Sequence, residues 1–181
     1  MSTSAMDFEK VSVRAPRAAK QPGAIRVQSQ SIKDGETIDK EFVFTGCGGR
    51  NRSPQLSWSG APAGTKSFAI TCFDPIAPTG SGYWHWLAFN IPASVTSIEA
   101  GAGTDKAPAG GTSGYNDFSA SSYCGPCPPK GDIPHRYIFT VYALDVERLE
   151  GIGEGTTGAT VIFNMAGHVL ASGSITGLFS H

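Results

Sequence analysis

Turn-forming residues divide this chain into short segments along its whole length. Its 181 residues include 23 glycines and 12 prolines, which lie between short runs of β-branched and aromatic residues. Glycine and proline weaken the interior of a helix but suit the turns between strands. The pattern therefore predicts an all-β or β-rich domain rather than a helical bundle.

Length, composition and charge narrow the class of protein. With 40% hydrophobic and 16% charged residues, we predict one globular domain at 23–181, preceded by a flexible, solvated lead-in at 1–22. A formal net charge of −1 without a basic stripe argues against nucleic-acid binding. We find no membrane-spanning run and no signal-peptide core, which predicts a cytoplasmic protein. In that compartment the 4 cysteines are expected to be thiols.

Apolar periodicity predicts the secondary structure. Strands are expected at 25–30, 55–58, 67–73, 84–91, 136–144 and 174–179. Between 159 and 170 the period changes, because Val161, Met165 and Val169 are spaced as on one face of a helix packed on a sheet. Residues 100–122 follow neither period, and an ordered stretch of that kind is often functional.

Two segments join a proline-containing loop to a polar aromatic strand end. The first runs from Asp74-Pro75 to Trp84-His85-Trp86, and the second from the Gly125–Gly131 loop to His135-Arg136-Tyr137. Strand alternation predicts that His85 shares a face with Leu87 and Phe89. It also predicts that His135 shares a face with Tyr137 and Phe139. If the strands are neighbours, their polar groups meet at one edge of the core.

Such a meeting point is an apolar pocket with a few convergent polar groups. Near pH 7 both imidazoles can carry a proton, which a carboxylate such as Asp74 favours, so a phosphate or carboxylate ligand can be held there. The alternative is that His85 and His135 are structural, half-buried histidines and that Asp74 caps a turn. Because each histidine lies beside a Pro/Gly loop at a strand end, we favour a binding site.

The cysteines offer a weaker signal. Cys124 and Cys127 have the spacing of a thioredoxin dithiol, but Pro128 disfavours the helix that such a motif opens. A loop with two cysteines is the better interpretation, and a disulfide between them stays open. Together with His135 they would lack an obvious fourth metal ligand, so we expect neither a metal nor another cofactor.

Taken together, these segments resemble the phosphatidylethanolamine-binding protein family, in its bacterial and archaeal branch, which is similar to the Raf-kinase-inhibitor-like proteins. The matching residues lie between Ile25 and Phe179 and include Ser53-Pro54-Gln55-Leu56-Ser57-Trp58, Asp74-Pro75, Trp84-His85-Trp86, Asn116-Asp117-Phe118 and His135-Arg136-Tyr137. The resemblance implies a mainly β sandwich with a large central sheet, a smaller sheet and a C-terminal flanking helix.

The resemblance also implies a ligand set and a role. The family's ligand residues carry onto Asp74, His85, Pro128, His135 and Tyr137, with Trp86, Gly125 and Cys127 as secondary pocket candidates. Members of the family are credited with binding phospholipid head groups and with inhibiting kinases or proteases. Bacterial members are often dimers.

Three positions depart from the family pattern. Ile76 replaces the second carboxylate of the usual Asp-Pro-Asp, and Phe179 stands where a tyrosine is common. Cys124 stands where glycine is more usual. Loss of a carboxylate favours anionic ligands, whereas loss of a phenol donor weakens their capture.

Three hypotheses follow. The leading one is non-catalytic binding of a phosphate-like or anionic ligand, such as a phospholipid head group or phosphoethanolamine, with inhibition of a kinase or protease as its downstream role. The second is a hydrolase or lyase in which His85 or His135 acts as general base, although no nucleophile or metal set accompanies them. The third is a redox protein that uses Cys124 and Cys127.

Overall fold

The computed structural model of the chain describes residues 23–181, so the lead-in predicted for 1–22 lies outside the described residues. The strands are β1 Gly23–Ala24, β2 Arg26–Gln28, β3 Leu56–Ser59, β4 Ser67–Asp74, β5 Tyr83–Pro92, β6 Ser97–Ile98, β7 Thr112–Ser113, β8 His135–Leu144 and β9 Val169–Phe179. The helix α1 spans Gly158–Met165, and short 3₁₀ turns lie at Thr45–Cys47 and Pro108–Gly110.

The strands form two sheets. The large sheet has the order β1-β9-β8-β4-β5-β7, and the small sheet has the order β2-β3-β6. All pairs are antiparallel except β1 with β9. The expected mainly β sandwich with a large sheet, a smaller sheet and one helix is confirmed.

Two apolar cores cover the two faces of the large sheet. The inter-sheet core joins it to the small sheet through residues such as Trp58 and Phe68, whose ring centroids lie 5.3 Å apart. The helix-side core joins it to α1 through Val161 and Met165. Because β4 is buried along its entire length, it carries apolar residues on both faces, such as Ala69 and Ile70, rather than an apolar and a polar face.

The predicted strand positions hold best in the centre of the large sheet. The strands expected at 67–73, 84–91 and 136–144 are observed within one residue of each end. The strand expected at 25–30 is only three residues long, and β1 was not predicted. Two residues of β1 that pair with β9 are too few to leave a periodic signal.

The predicted boundary between the C-terminal helix and the last strand was wrong. The helix ends at Met165, and Val169 is the first residue of an eleven-residue β9. Glycines conceal this strand in the sequence, since glycine is depleted in strands. At Gly173 a Cβ would overlap the Ile25 carbonyl, and at Gly177 it would overlap Ile38. Both glycines are therefore explained by the close passage of another segment across the strand.

The expectation of four thiols was also wrong. Cys47 and Cys127 form a disulfide across 80 residues of sequence, whereas Cys72 and Cys124 are free and buried. The dithiol considered for Cys124 and Cys127 therefore does not exist in this structure.

In the part of the chain that the structure describes, no helix is long and apolar enough to cross a membrane.

Candidate functional site

Antiparallel pairing brings three strand ends together at one edge of the large sheet. β4 ends at Asp74, beside the start of β5 on one side and the start of β8 on the other. The polar groups that the sequence singled out are consequently neighbours, although they are far apart along the chain. All of Asp74, His85, His135 and Tyr137 are buried.

A β-bulge determines where His85 points. Opposite Cys72 and Phe73 the register of β5 skips His85, pairing Cys72 with Trp86 and Phe73 with Trp84. The expected face shared with Leu87 and Phe89 was therefore wrong, since those two pack in the helix-side core. His85 instead meets Tyr137 of the inter-sheet core, with ring centroids 5.1 Å apart. A bulge of this kind redirects one side chain without ending the strand.

Asp74 makes two kinds of contact at once. Its Oδ1 accepts the backbone N–H groups of Ile76 at 2.8 Å and Ala77 at 3.2 Å, which fixes the turn after β4. Its Oδ2 lies 2.6 Å from Nδ1 of His135. Asp74 therefore caps a turn, as the structural alternative expected, and also contacts an imidazole, as the binding-site interpretation expected. Ile76 takes part through its backbone N–H, a contact that does not depend on its side chain.

A second carboxylate faces the other nitrogen of His135. Nε2 lies 3.2 Å from Oδ2 of Asp132, in the loop just before β8. The hydrogen bond from His135, followed by that from the backbone of Ile133, lowers the pKa of Asp132. Both ring nitrogens of His135 therefore face carboxylate oxygens within the protein. Sequence reasoning did not identify Asp132.

His85 has a different environment. Its Nδ1 donates to the carbonyl oxygens of Cys124 at 2.8 Å and Gly125 at 3.2 Å. Burial lowers the pKa of His85, and these hydrogen bonds and the charge of Asp74 offset that only in part. Near pH 7 the ring is therefore neutral, contrary to the expectation that both imidazoles carry a proton. Nε2 then presents a lone pair, and it has no hydrogen-bond partner among residues 23–181.

Tyr137, whose ring packs against that of His85, contributes an unpaired donor. Its side chain is fully buried, and its hydroxyl has no hydrogen-bond partner within the described residues. Desolvation, followed by the charge of Asp74, raises the pKa of Tyr137 far above its usual value, while the Cys127 backbone acts in the opposite direction, so the hydroxyl stays protonated. A buried, unpaired hydroxyl is costly in the absence of a ligand.

Aromatic rings form a wall around His85 that the sequence analysis missed. The Phe118 ring lies 5.2 Å from His85 and 4.7 Å from Phe44, and the Tyr83 ring lies 5.4 Å from His85. Asn116 holds this wall in place, because its side chain donates to the His85 carbonyl at 3.1 Å and accepts from the Phe118 N–H at 3.0 Å. The segment Asn116-Asp117-Phe118 supported the family resemblance, and that was the available signal.

The Gly125–Gly131 loop packs against the segment from Phe42 to Cys47. Gly125 is required because a Cβ there would overlap the Phe42 carbonyl. The disulfide fixes Cys127, and Pro128 is buried beside it. Trp86 lies elsewhere, since it packs on Tyr123 in the inter-sheet core, with ring centroids 5.6 Å apart. Phe179 is also in that core and pairs with His135 across β8 and β9.

No set of three His, Cys, Asp or Glu side chains suited to a metal ion occurs in residues 23–181. The arrangement does offer one hydrogen-bond donor, one neutral acceptor and an aromatic wall, next to a histidine held between two carboxylates.

Comparison with known proteins gives one consistent result. The family model described as phosphatidylethanolamine-binding protein matches residues 28–180. The UPF0098 protein YbhB of Escherichia coli is 48% identical over 160 residues, covering 86% of this chain and 100% of that protein. A UPF0098 protein of the archaeon Methanothermobacter thermautotrophicus is 43% identical over 157 residues, covering 86% of this chain and 98% of its own.

Solved structures agree. The crystal structure of Escherichia coli YbcL, described as a new member of the mammalian PEBP family, superposes with a TM-score of 0.84 at 44% identity. It covers 88% of this chain and 99% of that one. A phosphatidylethanolamine-binding protein homologue of Chlamydia trachomatis superposes with a TM-score of 0.75 at 32% identity, covering 87% of this chain and 98% of that one. This chain therefore belongs to the phosphatidylethanolamine-binding protein family.

Proposed function

We propose that this protein is a non-catalytic receptor for a small phosphate-bearing or otherwise anionic ligand. The observation that carries the proposal is the buried hydroxyl of Tyr137, which has no hydrogen-bond partner among residues 23–181, on a ring whose centroid lies 5.1 Å from that of His85. A folded protein rarely leaves a buried donor unused. A ligand that accepts from Tyr137 removes the desolvation cost of its hydroxyl, and a donor on the same ligand can bind the neutral Nε2 of His85.

The geometry favours ligands with both an acceptor and a donor. A phosphate or carboxylate oxygen accepts from Tyr137, and an O–H or N–H of the same ligand donates to His85. The rings of Phe118 and Tyr83 suit an ammonium group, because cations bind aromatic faces. Phosphoethanolamine carries all of these groups and is also the polar part of the lipid named in the family description.

Calorimetric titration tests the proposal, with phosphoethanolamine, inorganic phosphate and phosphatidylethanolamine vesicles as separate arms. A Tyr137→Phe variant removes only the hydroxyl and is expected to weaken binding about 10- to 100-fold, the range for a hydrogen bond to a charged group. Tyr142→Phe is the matched control, because Tyr142 is on the same strand but packs in the helix-side core. Equal affinity of wild type and Tyr137→Phe would refute the proposal.

A general-base enzyme remains the second candidate, since one observation favours it. The pKa of His85 is lowered, and its free Nε2 can accept a proton at neutral pH. Turnover of phosphate and acyl esters that disappears in His85→Ala and persists in His168→Ala would establish this candidate. His168 pairs with Asp145, beyond the opposite end of β8. Absence of turnover in the wild type would leave binding as the function.

Two further proposals concern the protein's partners and its cellular location. Inhibition of a kinase or protease and formation of a homodimer rest on the family resemblance. The predicted cytoplasmic location stays a prediction, and the Cys47–Cys127 disulfide weighs against it, because disulfides persist mainly in oxidising compartments. Free-thiol labelling of protein isolated under acid quench would show whether the disulfide forms in the cell. Two reactive thiols after denaturation indicate the disulfide, and four indicate its absence.

A further inference from the structure

The two carboxylates on His135 differ in how firmly they are held. The side chain of Asp74 is 3% exposed and that of Asp132 is 38% exposed. Asp74 is fixed from both sides, because its other oxygen caps the turn after β4. Among residues 23–181, the second oxygen of Asp132 accepts only from the adjacent N–H of Ile133, at 2.8 Å. Asp132 can therefore leave His135 without disturbing the core.

The loop that carries Asp132 is built to move at low cost. Every residue from 129 to 134 is exposed. Its backbone bonds are Asp132 N–H to the Pro129 carbonyl and Gly131 N–H to the His181 carbonyl, both at 3.1 Å. Segments with few buried contacts open more easily than the rest of a fold. The buried Pro128 and His135 fix the two ends of the loop, so only its tip is free to swing.

We propose that the carboxylate of Asp132 is an internal competitor that occupies the position of a ligand anion at Nε2 of His135. This inference rests on the proposed function and names the residue that sets its selectivity. A phosphate or carboxylate oxygen at Nε2 would make the same hydrogen bond that Asp132 makes. Asp132 also adds a negative charge beside Asp74, which repels anions until it swings outward.

The competitor selects among ligands. A neutral ligand gains little at Nε2, because it makes a weaker hydrogen bond there than the carboxylate that it would have to displace. Tyr137 and His135 are alternate residues of β8 and lie on the same face of the strand. A phosphate group has several oxygens, so it can accept from the Tyr137 hydroxyl with one of them and take the place of Asp132 with another.

The test is titration of inorganic phosphate and phosphoethanolamine into wild type, Asp132→Asn and a charge-matched control, Glu147→Gln, at one pH and low salt. Glu147 is exposed and lies beyond the far end of β8. Asp132→Asn is expected to bind phosphate about three- to tenfold more tightly, the effect of one like charge a few ångströms away near the surface. The control should keep the wild-type affinity.

A second measurement follows the loop itself. The amide of Ile133 donates to Asp132, so its NMR shift should change as phosphate saturates the wild type and should change less in Asp132→Asn. Unchanged or weaker phosphate binding by Asp132→Asn would overturn this inference. If Tyr137→Phe still weakens binding in that case, the proposed function stands. If no variant binds either probe, both fail together.

Discussion

His85 and His135 lie at the same edge of one sheet, yet their hydrogen-bonding environments are opposite. His135 is held between the carboxylates of Asp74 and Asp132. His85 donates to backbone carbonyls, is surrounded by aromatic rings and keeps one nitrogen free. The difference shows that residue type does not define a site. On the His135 side polar groups are satisfied within the protein, and on the His85 side two are left for a ligand.

Removing Asp74 should have the largest effect, on the His135 side. Asp74→Ala leaves a buried histidine without its partner and a turn without its cap, which is expected to cost about 3–5 kcal/mol of stability. Urea unfolding measures this loss of stability. Asp132→Ala is the comparison, because its exposed carboxylate should leave the unfolding midpoint nearly unchanged. Similar midpoints for the two variants would mean that the carboxylates are equivalent.

The disulfide supports both sides at once. It fixes the loop whose carbonyls orient His85 and whose tip carries Asp132. Replacing Cys47 and Cys127 together by serine should lower stability by about 2–4 kcal/mol, since a long closed loop is released in the unfolded state. Cys124→Ser, a change at an unpaired thiol, serves as control. A midpoint insensitive to reductant in the wild type would contradict this account.

Two buried tyrosines differ in whether their hydroxyl groups have a hydrogen-bond partner. Tyr123 donates to the Phe42 carbonyl at 2.7 Å, whereas Tyr137 has no partner among the described residues. Tyr123→Phe should destabilise the ligand-free protein by about 1–3 kcal/mol. Tyr137→Phe should be neutral or stabilising by about 1 kcal/mol, because it removes an unsatisfied hydroxyl. Thermal unfolding checks both signs, and destabilisation by both would remove the argument for a vacant donor.

The smallest expected effect is the pH dependence due to His85. Burial lowers the pKa of folded His85, so below about pH 6.5 the unfolded chain binds a proton that the folded chain does not. Stability should therefore fall as pH falls from about 6.5 toward the folded pKa. Urea midpoints from pH 7 to 5 should show this slope in the wild type and less of it in His85→Gln. His168→Gln should keep the wild-type slope.

Ligand binding should show the same preference for the neutral ring. A ligand group that donates to Nε2 of His85 requires the unprotonated imidazole, so binding is expected to weaken as pH falls toward the folded pKa of His85 and to release a proton there. Calorimetry in two buffers of different ionisation enthalpy measures the release. Proton uptake by His85 on binding would contradict a ligand donor at its Nε2.

The sequence predicted well what depends on local pattern. Alternation on β8 correctly placed Tyr137 and Phe139 on one face, because that strand pairs with β4 without interruption. Alternation failed at His85, since a bulge depends on the opposing strand. The disulfide joins cysteines 80 residues apart, a distance that local pattern does not span. Asp132 was missed because an exposed loop carboxylate gains meaning only from the histidine it contacts.

The most direct test of the central claim is a crystal structure of the protein soaked in phosphoethanolamine. The account predicts a phosphate oxygen within hydrogen-bonding distance of the Tyr137 hydroxyl, a ligand atom at Nε2 of His85, and Asp132 displaced from His135. A saturating soak that leaves Tyr137 and His85 without a ligand, with Asp132 still 3.2 Å from His135, would contradict it.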